Sequence, residues 1–246
     1  MAPDVVVDIG NTRMKWGLLR DGAFAETASL GRYPTAEWQE TFDAWQIEAG
    51  SSWLIASVDP ARLDEFKRWL MDRSQTPAVV HSYRQIPMLI DVENPSGVGV
   101  DRLLAAFGAR KTAPVPPPFL VVQAGTALVV NSVDAGGVFL GGAILPGLAL
   151  MAKALHEHTA ALPEVPVREI ASFGPGRNTE QAIQLGIFAA ALGTIQTLRE
   201  RPGQPPLPVI LTGGDAELLQ RHMPEPVYFL PDLVLAGLGE LGKSLP

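Results

Sequence analysis

Val5-Val6-Val7-Asp8-Ile9-Gly10-Asn11-Thr12-Arg13-Met14-Lys15-Trp16-Gly17 holds the reading of the fold. The run Asp4–Ile9 is β-rich, Gly10-Asn11-Thr12 is a turn sequence, and Met14–Leu19 is β-rich again, which predicts a strand, a tight turn and a returning strand. Nearly half a chain length later the pattern returns as Leu120-Val121-Val122-Gln123-Ala124-Gly125-Thr126-Ala127. Each copy has an apolar strand run, a polar residue, one spacer and a glycine. Any two buried hairpins of an α/β protein share some of this, but a repeat of such length suggests two similar halves.

The remaining sequence fits that plan. A chain of 246 residues suits one large domain or two small ones. Apolar residues make up 47%, which excludes disorder as the overall state. The net charge of −7 argues against a nucleic-acid coat, while leaving room for an anionic ligand in a locally positive pocket. With 0 Cys there is no disulfide scaffold, thiol nucleophile or Cys-based zinc site, which fits a cytoplasmic protein. The N-terminal residues lack the basic and apolar regions of a signal peptide. The apolar stretch Phe119–Leu150 is interrupted by Gln123, Asn131, Ser132, Asp134 and glycines, and reads as buried strands rather than a membrane span.

Further strands are expected at Ser52–Val58, Ala78–His81, Phe119–Val122, Leu128–Val133, Val138–Ile144 and Val209–Leu211. Helices are expected at Ala61–Met71 (started by Asp59-Pro60), Asp101–Lys111, Pro146–His158, Thr179–Leu198 and Asp232–Leu241, with a loop at Pro95–Gly99. Pro114, Pro116, Pro117 and Pro118 form a linker, which divides the chain into domains 1–113 and 119–246. Trp16, Trp38, Trp45, Trp53 and Trp69 read as core or interface fillers. His156 and His158 project to different sides of a helix and do not suggest a shared metal. Leu185–Leu198, with Gly186 and Gly193 embedded in it, suits a core helix or a dimer seam.

The glycine turns suit phosphate, because glycine lets backbone N–H groups converge closely on an anion. Asp8 ends a strand where it could hold Mg²⁺, and Lys15 on the return strand could neutralise a phosphate. Gly125-Thr126 offers a second, facing turn, and Thr212-Gly213-Gly214-Asp215 a third. The spacings match neither a Walker A loop nor a dinucleotide fingerprint. Asp101-Arg102 has two readings: a helix N-cap, or a carboxylate that takes a hydroxyl proton beside a guanidinium that grips a carboxylate.

Asp8–Gly17 (DIGNTRMKWG), Gly97–Arg102 (GVGVDR), Gly125–Ala127 (GTA), Gly141–Leu148 (GGAILPGL), Asn178-Thr179 and Thr212–Ala216 (TGGDA) together resemble the ordered motif set of type III pantothenate kinases. That family also contains proteins named Bvg accessory factors. The resemblance implies an α/β fold of two ribonuclease-H-like domains, of the acetate/sugar kinase–Hsp70–actin type. It implies phosphorylation of pantothenate by ATP with Mg²⁺ and a monovalent cation, K⁺ or NH₄⁺, at the start of coenzyme A biosynthesis. Carried onto this chain, it assigns Asp8 to metal and phosphate, and Gly10, Asn11, Thr12, Lys15, Gly125 and Thr126 to phosphates. Thr212, Gly213 and Gly214 fall to adenosine, Asp101 to the general base, and Gly99, Val100 and Arg102 to pantothenate. It also implies a homodimer with the pocket at the interface, Thr179 reaching pantothenate in the neighbouring subunit. Gln123, Val129 and Asn131 depart from the family's D-x-G-T-A-x-T-x-D, so monovalent cation binding at Gln123 is expected to be weakened. A catalytically weakened regulatory protein of the same fold stays open, as does another enzyme of the superfold: a different small-molecule kinase, or a phosphatase acting on polyphosphate or nucleotide.

Overall fold

The protein is described by a computed structural model that covers residues 3–31, 35–170 and 173–244. It divides into two compact units: one reaches Thr112 and is completed by the segment from Asp232, and the other is Ala113–Pro231.

The first unit begins with β1 (Val5–Ile9), β2 (Met14–Arg20), β3 (Ala23–Leu30), α1 (Thr35–Ala44), β4 (Ser52–Ser57), α2 (Pro60–Met71), β5 (Thr76–Val79) and α3 (Val100–Thr112). Its sheet has the order β3-β2-β1-β4-β5. β1 is antiparallel to β2 and parallel to β4, and β5 continues parallel to β4. Strand alternation sends Val5, Val7 and Ile9, with Met14, Trp16 and Leu18, to the face that packs on Trp38, Phe66 and Leu70 of the helices. The tryptophans fill this core as expected, with Trp16 and Trp53 edge to face at 5.1 Å between ring centroids. Asp59 caps α2 by accepting from the Arg62 N–H at 3.1 Å, with Pro60 at the first turn.

The second unit holds β6 (Phe119–Ala124), β7 (Ala127–Val133), β8 (Phe139–Pro146), α4 (Leu148–Glu157), α5 (Thr179–Arg199), β9 (Val209–Thr212), α6 (Ala216–Gln220) and β10 (Val227–Phe229). The sheet order β10-β9-β6-β7-β8 is the first sheet over again, β6 standing for β1 and β9 for β4. Leu120, Val122 and Ala124 face a core shared with Ile183, Ile187, Phe188 and Ala191 of α5. The stretch Phe119–Leu150 is thus three strands and the start of a helix. The repeat read from two glycine turns extends through both sheets. The second hairpin is one residue tighter: Gly10–Arg13 separate the innermost pair Ile9↔Met14, and Gly125–Ala127 separate Ala124↔Leu128.

α7 (Leu233–Gly242) departs from the division at 113 and 119. That division left it in the C-terminal domain, whereas it packs in the first unit against α3. The reason is backbone approach. A Cβ on Gly237 would lie 2.1 Å from the Leu104 carbonyl oxygen, and one on Gly108 would lie 2.4 Å from that of Leu233. Only glycine at both crossings lets the helices meet so closely. Among the described residues, the strands and α-helices outside the expected set are β3, α1, α6 and β10. β3 is an edge strand with mostly exposed side chains, and α1 buries only Trp38, so neither carries a strong apolar period. The helix expected from Pro146 starts at Leu148, because Pro146 ends β8 and Gly147 takes the cap position.

Candidate active site

In the first unit the site begins where β1 ends. Asp8 stands opposite Lys15 in the β1–β2 register, so both side chains rise from the face away from the tryptophan core. On that face α7 lies against β2, with Leu19 close to Gly239. The turn closes through the Gly10 N–H donating to the Arg13 carbonyl at 3.0 Å, and leaves Asn11 and Thr12 exposed. α3 brings Asp101 and Arg102 in its first turn. The Gly99 carbonyl accepts from the Arg102 N–H at 3.1 Å. The Asp101 carboxylate folds over Gly99 so closely that a Cβ there would lie 2.4 Å from Oδ1. A side chain at Gly99 would displace that carboxylate, and Asp101 sits inside the helix rather than at its cap.

The electrostatics join these groups. Burial pushes the Asp8 carboxyl up from 3.8 to about 7, helped by the charge of Asp101 and, less, of Asp232, and opposed by Lys15. Burial also raises Asp101, against the Arg102 N–H and guanidinium that favour its ionised form. Burial lowers Arg102, against the Asp101 charge that supports it. The Lys15 ammonium lies 2.6 Å from Asp232 Oδ1 at the start of α7. Asp8, Lys15, Asp101 and Arg102, all expected from sequence, therefore form one electrostatic group, and Asp232 joins them unannounced. Among the described residues no three His, Cys, Asp or Glu side chains converge on a metal position. The donor chemistry still fits Mg²⁺, which takes one or two carboxylates and completes its shell with water and phosphate oxygens.

The second unit gathers its glycines at the matching strand ends. The Gly125 N–H donates to the Ala127 carbonyl at 3.1 Å, and the Gly147 N–H donates to the Thr126 carbonyl at 2.9 Å. A Cβ on Gly147 would lie 1.9 Å from the Gly125 carbonyl oxygen. Thr212 is buried, and Gly213 has a φ of +101° with no room for a Cβ, which would lie 2.2 Å from the Ala124 carbonyl oxygen. The Asp215 N–H donates to that same carbonyl at 3.1 Å. Turns 125–127 and 212–215 are thereby locked together, with Gly214 free of side-chain crowding. Gln123 lies on the face away from the α5 core, and its Oε1 accepts from the Asn131 amide at 3.3 Å. Val129 pairs with Gln123 across the hairpin.

Thr179 is exposed in the first turn of α5, where the Asn178 side chain accepts from the Gln181 N–H at 2.8 Å. It borders an apolar groove of about 710 Å³ between α4 and α5, lined by Pro146, Met151, Leu155, Ile183 and Ile187. Ile144 on β8 (62% exposed) and Leu150 on α4 (42%) are further exposed apolar side chains. His158 lines the groove, and His156 Nδ1 is 2.9 Å from the Leu162 carbonyl oxygen.

The model of the family described as type III pantothenate kinase matches residues 5–201. The chain belongs to the type III pantothenate kinase family. A type III pantothenate kinase of Janthinobacterium sp. (strain Marseille) is 32% identical over 256 residues, covering 95% of both chains. One from Dechloromonas aromatica is 34% identical over 250 residues, covering 96% of this chain and 98% of its own. Among solved structures, a Campylobacter jejuni protein described as a Baf family transcriptional activator aligns with a TM-score of 0.63 at 19% identity, covering 98% of both chains. A Sinorhizobium meliloti protein described as a 2-dehydro-3-deoxygalactonokinase aligns with a TM-score of 0.57 at 13% identity, also over 98% of both. At these identities the likeness shows the fold, which is the acetate/sugar kinase–Hsp70–actin type. In this pantothenate kinase family member, Thr212–Asp215 and Asp232 both lie beyond the matched residues. Asp232 had no sequence signal beyond that of a helix start.

Proposed function

We propose that this chain phosphorylates pantothenate with ATP, the first step towards coenzyme A, in the cytoplasm. The observation that carries this reading is the gathering of Asp8, Lys15, Asp101 and Arg102 into one electrostatic group in one unit, with Asp8, Asp101 and Arg102 shifted by burial, within a chain of which 95% aligns with a type III pantothenate kinase. Asp8 would hold Mg²⁺, which supplies charge neutralisation at the transferring phosphoryl group. In the first unit Lys15 and the N–H groups of Gly10–Thr12 are the phosphate contacts, and in the second unit Gly125 and Thr126 are. Thr212, Gly213 and Gly214 take the adenosine. Gly99 and Val100 border the substrate, and the Arg102 fork binds its carboxylate. Asp101 accepts the hydroxyl proton. Burial makes it a stronger base than an exposed aspartate, so it serves both to position and to accept.

The test is ADP release from Mg·ATP with and without pantothenate. Release that ignores pantothenate overturns the reading, and release driven by a hexose would favour the sugar kinase alternative. The same assay addresses the monovalent cation. Gln123 offers a neutral oxygen already engaged by Asn131, in place of a carboxylate. Turnover is therefore expected to change by less than about threefold when K⁺ or NH₄⁺ replaces a bulky organic cation, since a neutral donor holds such ions weakly. Tenfold activation by K⁺ would refute this.

A homodimer formed through α5 completes the proposal, with Thr179 serving the neighbouring subunit's pantothenate. Gly186 and Gly193 support it: each is exposed, and a Cβ on either would meet nothing within 4 Å. A helix-interior glycine costs about 1 kcal/mol relative to alanine, and no described residue crowds either one. A second helix approaching that face would. The Gly186→Leu variant is expected to keep its fold by circular dichroism and elute as a monomer. A dimer that survives the substitution would exclude α5 as the seam.

A further inference from the structure

Asp232 stands out because it declines its local role. An aspartate at a helix start ordinarily turns its carboxylate onto the first-turn N–H groups. Asp232 makes no such bond at the start of α7, where its backbone is left-handed, with φ 57° and ψ 37°, and not in the extended conformation from which a side chain caps. Its carboxylate instead reaches a residue 217 positions away and takes the Lys15 ammonium at 2.6 Å, with 31% of the Lys15 side chain and 26% of its own exposed.

The pairing matters because of what stands across the sheet. Lys15 is the direct register partner of Asp8. Opposite charges facing each other across antiparallel strands ordinarily pair. Here the ion pair goes to Asp232, so Asp8 keeps its carboxylate available. A site that binds a metal–phosphate complex needs a free anion for the metal and a separate cation for the phosphate. If Lys15 closed on Asp8, each would cancel the other.

We propose that Asp232 is a positioning residue that draws Lys15 away from Asp8 and so keeps the two charges separately usable. The proposal rests on the reading of Asp8 as the Mg²⁺ contact and Lys15 as the phosphate contact. Without the Asp232 charge, Lys15 swings to Asp8, and Mg²⁺ must compete with an ammonium for the carboxylate.

The experiment titrates Mg²⁺ at fixed ADP and reads nucleotide binding by calorimetry in four proteins: the unsubstituted chain, Asp232→Asn, Lys15→Ala and the double variant. Asp232→Asn is expected to raise the Mg²⁺ concentration for half-maximal binding about fivefold, the upper end for one partly exposed charge pair. In the Lys15→Ala background the same substitution is expected to change it less than about twofold. Equal shifts in both backgrounds would show that Asp232 acts through the fold of α7 and would overturn the proposal, as would no shift in either. Melting temperatures measured alongside separate unfolding from misplacement. Adenosine binding identifies a different failure: if the unsubstituted chain binds adenosine but Mg²⁺ does not strengthen ADP binding, the metal reading of Asp8 falls and this proposal falls with it.

Discussion

Asp101→Asn is expected to lower kcat by about 10²–10⁴-fold, the usual contribution of a general base, while the Kd for ADP stays within about threefold. The substitution keeps the size of the side chain and removes its ability to take a proton. Asp101 lies in the first turn of α3 with its carboxylate over Gly99, so the amide can be held in the same place. Single-turnover rates with saturating ATP and pantothenate are the measurement. A variant that turns over within tenfold of the unsubstituted protein would remove Asp101 from the chemistry and leave it a structural residue of the first turn of α3.

Asp8→Asn carries two expected effects of opposite sign. Turnover falls by about 10²–10³-fold, because the charge that holds Mg²⁺ at the phosphates is gone. Stability rises, and only at higher pH. Burial raises the Asp8 carboxyl to about 7 in the folded chain against 3.8 for the free side chain. The folded state therefore binds this proton more tightly than the unfolded state does. Ionisation costs no stability below 3.8, an increasing amount as pH rises towards 7, and a constant amount beyond. The Asn variant should match the unsubstituted protein near pH 3.5 and melt roughly 10 °C higher at pH 8 without metal. Scanning calorimetry at the two pH values checks this. Equal melting temperatures at pH 8 would mean that Asp8 is solvated, and the electrostatic account of the site would fail.

What the sequence disclosed follows from the range over which each interaction acts. The hairpins at Gly10 and Gly125 were legible because a turn's chemistry lies within a few adjacent residues. Asp101 and Arg102 were legible as a motif, while their burial was not, since it depends on what α3 packs against. Asp232 could not be found, because its partner Lys15 lies at the far end of the chain. The placement of α7 was hidden for a related reason. Its apolar residues suit any sheet, and only the close approach of Gly237 to Leu104 ties it to α3. β3 was missed because an edge strand with exposed Glu26, Thr27 and Ser29 needs no apolar alternation. The glycines of α5 had two readings. The structure leaves both with open space around them, which turns attention to a second copy.

The return of α7 also sets an order of assembly during synthesis. The unit from Ala113 to Pro231 is continuous, so all of its residues are made before the last segment of the other unit. The unit made earlier must wait, its flank over Leu104 and Gly108 bare until Leu233–Gly242 has cleared the ribosomal tunnel. Translation that stops short of Asp232 would therefore yield one finished lobe and one open one, and would lose with the helix the counter-ion for Lys15.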